Sequence, residues 1–162
     1  MTSGTQTPPV GEMAPEFTLP GTGGKSYSLE EFRGKQHVLL FFYPKDDTAG
    51  CTREACEFRD LNERFAEAGA AVLGISGLDV SSKEAFAEKN GLTYPLLADE
   101  DFEVSTRYGA YKLRERDGQQ FMGIERTSFL IDKEGVLRKT YEKVDPDGHA
   151  EQVLQDIAAL ES

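Results

Sequence analysis

Cys51 and Cys56 stand five positions apart and are the only cysteines in a chain of 162 residues. Two are too few for the disulfide framework of a small secreted scaffold or for a four-thiolate zinc site. In a reducing compartment a close thiol pair is expected to be transient, catalytic or sensing. After Cys51, the apolar residues Ala55, Phe58, Leu61, Phe65 and Ala68 recur at steps of three or four and end at Gly69, which predicts a helix from about Thr52. If Gly50 or Cys51 opens it, Cys51 lies in a first turn whose unpaired N–H groups and partial positive charge favour a thiolate. A helix terminus supplies only about 1 kcal/mol, so a strongly nucleophilic thiolate at neutral pH needs a further cation. An arginine from elsewhere in the chain is the natural source. Five residues along an ideal helix mean about 7.5 Å of rise and about 140° of rotation, whereas a disulfide needs Cα atoms within about 7 Å and converging Cβ vectors. Either the pair never bonds, or the helix unwinds each time it does.

The elements around the pair alternate between strand and helix. Val38 to Tyr43 is a continuous apolar run of the kind found in strands buried on both faces, ended by Pro44 and the polar turn Lys45-Asp46-Asp47. Ala70 to Ser76 reads as a second buried strand. Asp79 or Ser81 can cap a helix that runs to Asn90, with Gly91 past its end. Leu96 to Ala98 is a short extended piece and Asp101 to Tyr108 a short helix. Ser128–Asp132 and Val136–Tyr141 form a hairpin, and an amphipathic helix from about Asp147 closes the chain. Lys112 to Asp117 is expected as a solvated loop. This order predicts an α/β three-layer sandwich, a mixed central sheet flanked by helices, an arrangement similar to the thioredoxin fold. Ligands of such sheets sit beyond the carboxyl ends of central strands, where Cys51 falls. Residues 1–10 are expected to be a flexible lead-in and residues 11–162 a single domain. The start has neither the charge nor the apolar run of a secretory signal, and no stretch approaches the roughly 20 apolar residues of a membrane span, so a cytoplasmic location is expected. With 18 Lys and Arg against 29 Asp and Glu, the net charge of −11 opposes phosphate neutralisation, so nucleic acids and anionic membranes are not expected partners.

The segment YPKDDTAGCTREACEFRD, Tyr43 to Asp60, resembles the peroxiredoxins, specifically the bacterioferritin comigratory protein or peroxiredoxin Q group of atypical two-cysteine enzymes. The family pattern of Pro, three residues, Thr or Ser, two residues, Cys is met by Pro44, Thr48 and Cys51. The subgroup's second cysteine matches Cys56, and the family's distant arginine, before a Thr or Ser and a strand, matches Arg126 in RTSFLID. GEMAPEFTL (Gly11 to Leu19) and SLEEFRGK (Ser28 to Lys35) extend the likeness to nearly the whole chain. Ala49 departs from it, many relatives having Pro there. The resemblance implies a thioredoxin-dependent peroxidase acting on hydrogen peroxide and organic hydroperoxides, in antioxidant defence and redox homeostasis. Cys51 is then the attacking thiol, Cys56 the resolving thiol, Thr48 a donor to sulfur and peroxide, Arg126 the stabilising cation and Pro44 a shield. The implied resolved state is a Cys51–Cys56 disulfide reduced by thioredoxin or a similar dithiol, in a monomer or weak dimer that needs no metal, haem or flavin.

The residues themselves leave other readings in view. Glu54 can serve the helix dipole, Arg126 can be a surface partner of Glu125 or Asp132, and His37 and His149 can be packed or solvated side chains. A thioredoxin-type oxidoreductase places only two residues between its cysteines, against the four here. A redox sensor can use the same pair as a switch.

Overall fold

The computed structural model describes residues 7–46 and 48–161. Six residues from His37 to Phe42, every one buried, form the central strand β3, and alternation along it divides the core in two. Preceding it are β1 (Thr18–Gly21), β2 (Lys25–Ser28) and a short 3-10 turn at Leu29–Phe32. After it come α1 (Ala49–Glu67), β4 (Ala70–Ser76), α2 (Val80–Asn90), β5 (Leu96–Ala98), α3 (Glu103–Arg107), β6 (Tyr111–Arg116), β7 (Gln119–Ile124), β8 (Thr127–Ile131), β9 (Leu137–Tyr141) and α4 (His149–Glu161).

Seven strands make one sheet in the order β2-β1-β5-β4-β3-β8-β9. β3 pairs parallel with β4, and β4 with β5, while β8 runs antiparallel to β3 and β9 to β8. On one face, Val38, Leu40 and Phe42 join Val104 and Tyr108, the latter just past α3. On the other, Leu39, Phe41 and Tyr43 meet Phe58 and Phe65 of α1, Phe86 of α2, and Val153 and Ile157 of α4. The expected three-layer, thioredoxin-like arrangement with a mixed sheet is therefore the observed one.

Two expectations shift. α1 begins at Ala49, one turn before the expected Thr52, because Thr48 adopts the extended N-cap conformation and its carbonyl accepts from the Thr52 N–H at 2.8 Å. Lys112–Asp117 is not a loop: Lys112 to Arg116 belong to β6, which pairs antiparallel with β7 in a separate two-stranded sheet. Asp117 and Gly118 make the turn with φ of 53° and 77°, and such positive angles match the right-handed twist of a two-residue hairpin. Asp79 caps α2, its carboxylate accepting from the Ser82 N–H at 2.9 Å. Residues 1–6 of the expected lead-in lie outside the described residues; from Gly11 the backbone is tied to β9, the Gly11 N–H donating to the Leu137 carbonyl at 2.8 Å.

Candidate active site

The register between β3 and β8 assembles the site. Phe42 lies opposite Thr127, so the residue before Thr127 stands beside the point where β3 turns into the Pro44 loop. That residue is Arg126, and the helix following the loop begins with Ala49, Gly50 and Cys51. Residues 75 apart in sequence thus meet: the Arg126 Nη2 donates to Cys51 Sγ at 3.3 Å, while Nη1 donates to Glu54 Oε1 at 2.7 Å. The two-pronged planar guanidinium suits this role, since each prong engages a different acceptor. Its backbone is fixed by the Val144 N–H, which donates to the Arg126 carbonyl at 3.0 Å. Gly50 lets the guanidinium lie flush on the helix, because a Cβ there would stand 3.1 Å from Arg126 Nη2.

Cys51 is buried at 1% exposure and Glu54, one turn further on the same helix face, at 0%. Burial pushes the Glu54 carboxyl up from 4.5 to about 7, more than the Arg126 charge beside it can offset. Its second oxygen, Oε2, is buried with no hydrogen-bond partner. Burial also works against the charge of Arg126, but Glu54 and Cys51 outweigh it and hold the guanidinium more firmly protonated than usual. Glu54, read from the sequence as a support for the helix dipole, is a buried partner of Arg126, and the alternative of a surface pairing of Arg126 with Glu125 or Asp132 is not the one observed. Glu125 stands 3.5 Å from Lys112 and Asp132 3.0 Å from Arg138.

Pro44 and Thr48 line an open cleft of about 760 Å³ together with Gly50, Cys51 and Arg126. Thr48 is exposed; its hydroxyl donates to the Lys45 carbonyl at 3.2 Å and makes no capping bond to the helix, leaving its lone pairs toward solvent. The cleft's far wall is the β6–β7 hairpin, with Arg114, Phe121 and Met122. Cys56 is turned elsewhere. It is half-buried against the end of α2, its sulfur 4.0 Å from Asn90 Oδ1. Both thiols are free, and the helix between them is unbroken.

His149 is packed, as expected for a histidine of this kind: its ring lies edge-on to Phe58 and Tyr141 with Nε2 2.8 Å from Ser128 Oγ. Burial and the nearby Arg126 charge lower it from 6.5 to about 4. Among the described residues, no three His, Cys, Asp or Glu side chains gather as a metal site.

The AhpC/TSA family model matches residues 10–140, most of the chain. This chain belongs to that family. Among its relatives, the peroxiredoxin Bcp of Bacillus subtilis is 41% identical over 148 residues, covering 91% of this chain and 94% of its own. A solved bacterioferritin comigratory protein of Xanthomonas campestris, described for its alkyl peroxide reduction activity, superposes with a TM-score of 0.85 at 35% identity, covering 90% of this chain and 92% of that one. A Xylella fastidiosa PrxQ structure with one cysteine replaced by serine reaches a TM-score of 0.90 at 31% identity, over 97% and 99% of the two chains. The chain is accordingly a peroxiredoxin of the Bcp/PrxQ type, a thiol-dependent peroxidase. In this peroxiredoxin the pair Cys51 and Arg126 was legible from sequence, whereas Glu54 was not assigned to the site; its spacing of three from Cys51 was the available signal.

Proposed function

We propose that this peroxiredoxin reduces hydrogen peroxide and organic hydroperoxides through Cys51. The observation that carries the reading is the Arg126 Nη2 to Cys51 Sγ contact of 3.3 Å at the start of α1, where guanidinium and helix N-terminus both turn positive charge toward the sulfur. The thiolate attacks the terminal peroxide oxygen. An S–O bond forms, the O–O bond breaks, and the electron pair leaves on the departing oxygen, which takes up a proton to become water or an alcohol. Sulfur is oxidised to a sulfenic acid. In this reading the Arg126 guanidinium stabilises the oxygen on which charge grows, and the Thr48 hydroxyl at the cleft rim joins it by turning its proton from the Lys45 carbonyl to the peroxide.

Cys56 then attacks the Cys51 sulfenic acid, releasing water and leaving a disulfide. Its outward position against α2 requires the first turns of α1 to unwind before the sulfurs can meet. A dithiol of the thioredoxin type, reacting by thiol–disulfide exchange, returns both thiols. The protein works as a monomer or weak dimer in the cytoplasm; no helix among the described residues is long and apolar enough to cross a membrane. The test follows free thiols and mass after a slight excess of hydrogen peroxide. Wild type loses both thiols to one intramolecular disulfide, Cys51→Ser loses the fast reaction, and Cys56→Ser stops at the sulfenic acid. Fast peroxide consumption by Cys51→Ser overturns the assignment, and normal thioredoxin-dependent turnover by Cys56→Ser removes Cys56 as resolver.

A further inference from the structure

Asp46 belongs to the same loop as Pro44 and Thr48, yet the chemistry at Cys51 does not touch it. Its carboxylate is buried and takes three hydrogen bonds: Oδ1 accepts from the Tyr43 hydroxyl at 2.6 Å, and Oδ2 from Ser82 Oγ at 2.7 Å and the Lys83 ammonium at 3.2 Å. Lys83 is itself at 0% exposure. Its three N–H groups are all used, on Asp46, on Ser76 Oγ at 2.7 Å and on the Gly77 carbonyl at 2.5 Å. Full saturation is what allows an ammonium to be buried at all.

Desolvation of two charges commonly offsets their attraction, so such a pair is poor evidence for stability. Placement is what it supplies. Donors from the end of β3 and from α2 converge on one carboxylate, and Lys83 is itself held by acceptors at the end of β4, so Asp46 cannot shift without breaking several buried bonds at once. The loop's other fixed point is adjacent: Thr48 reaches back to the carbonyl of Lys45, the neighbour of Asp46. The position of the Thr48 hydroxyl is therefore referred, through two residues, to the buried ion pair. We infer that Asp46 and Lys83 are positioning residues for the peroxide step, holding Pro44 and Thr48 at the cleft that Cys51 lines. The inference rests on reading Cys51 as the attacking thiol. Because the anchor precedes Thr48, it also stays in place when α1 unwinds behind it, so the loop is ready again once the helix reforms.

The test compares three quantities in the full-length reduced protein: the single-turnover rate with hydrogen peroxide, the rate of Cys51 alkylation by iodoacetamide, and the melting temperature. Lys83→Met strands the Asp46 carboxylate in the interior and lowers both the melting temperature and the peroxide rate. Adding Asp46→Leu removes the stranded charge, and with Lys83 gone the lone pairs of Ser76 Oγ, whose proton goes to the Gly77 carbonyl at 3.2 Å, are released. The double variant should recover most of the melting temperature while its peroxide rate remains down by about tenfold, the scale of a small misplacement of catalytic groups, with alkylation little changed. Ser82→Ala, which keeps the ion pair and removes one donor, should give a smaller loss in the same direction. Peroxide rates that return with the melting temperature, or that fall in step with alkylation, overturn the inference. Fast peroxide reaction in Cys51→Ser would overturn the underlying reading instead.

Discussion

Arg126 divides its two prongs between Cys51 Sγ at 3.3 Å and Glu54 Oε1 at 2.7 Å, and the division explains why the position needs an arginine rather than any cation. A lysine carries the same charge as a compact point on a flexible stem and cannot hold both acceptors in one plane. Glu54 holds one prong of the guanidinium and thereby aims the other at the Cys51 sulfur, beside the cleft. Arg126→Lys should therefore slow single-turnover oxidation of Cys51 by about 10²-fold, the usual scale for loss of one preorganised donor. Stopped-flow oxidation at neutral pH measures this, and a rate within about threefold of wild type would show that charge alone suffices. At this scale the sequence was informative where residue order sets geometry. The Pro44, Thr48 and Cys51 register and the arginine before a strand can be read directly. The burial of Glu54 cannot, because it depends on a side chain arriving from 72 residues away.

α1 has two parts that differ in how they are held. Its later turns carry Phe58, fully buried and stacked on Phe41 at 4.7 Å, and Phe65, packed against Phe58 at 5.6 Å. The first two turns bury only Cys51, Glu54 and Ala55, anchored by polar contacts and one methyl group. Local opening of weakly anchored segments is inexpensive relative to global unfolding, so the boundary for unwinding falls before Phe58. Hydrogen exchange after stoichiometric peroxide should show faster exchange across residues 49–56 and unchanged protection in β3 and β4. A protected first turn in protein that has lost both thiols would show that the cysteines pair by some other movement. The β6–β7 hairpin gives the complementary lesson. Its charged residues and two exposed faces hide it from any search for buried alternation, and only Asp117-Gly118, a strong turn signal between the strands, marked it.

At the scale of the molecule, sheet order was the least readable feature. β1 joins β5 through Gly21 and Leu97, and no local pattern announces a pairing over that distance. The same long-range assembly brings two buried groups of opposite habit around Arg126. Glu54 is raised from 4.5 to about 7 by burial, so between those values the folded state binds a proton that the unfolded chain has lost. Its contribution to stability is complete below 4.5 and disappears as pH rises through 7. His149 is lowered from 6.5 to about 4 by burial and the Arg126 charge, so in that window the unfolded chain binds the extra proton. Its contribution is complete above 6.5 and disappears as pH falls through 4. Each shift corresponds to roughly 3 kcal/mol at most, and the signs oppose between about 4.5 and 6.5. These two groups together should leave stability nearly flat there. Glu54→Gln should expose the histidine term as a melting temperature that falls on acidification from 6.5. His149→Phe should expose the carboxyl term as one that rises over the same range. Parallel pH profiles for wild type and both variants would show that neither group is titrating in the folded protein as its surroundings require.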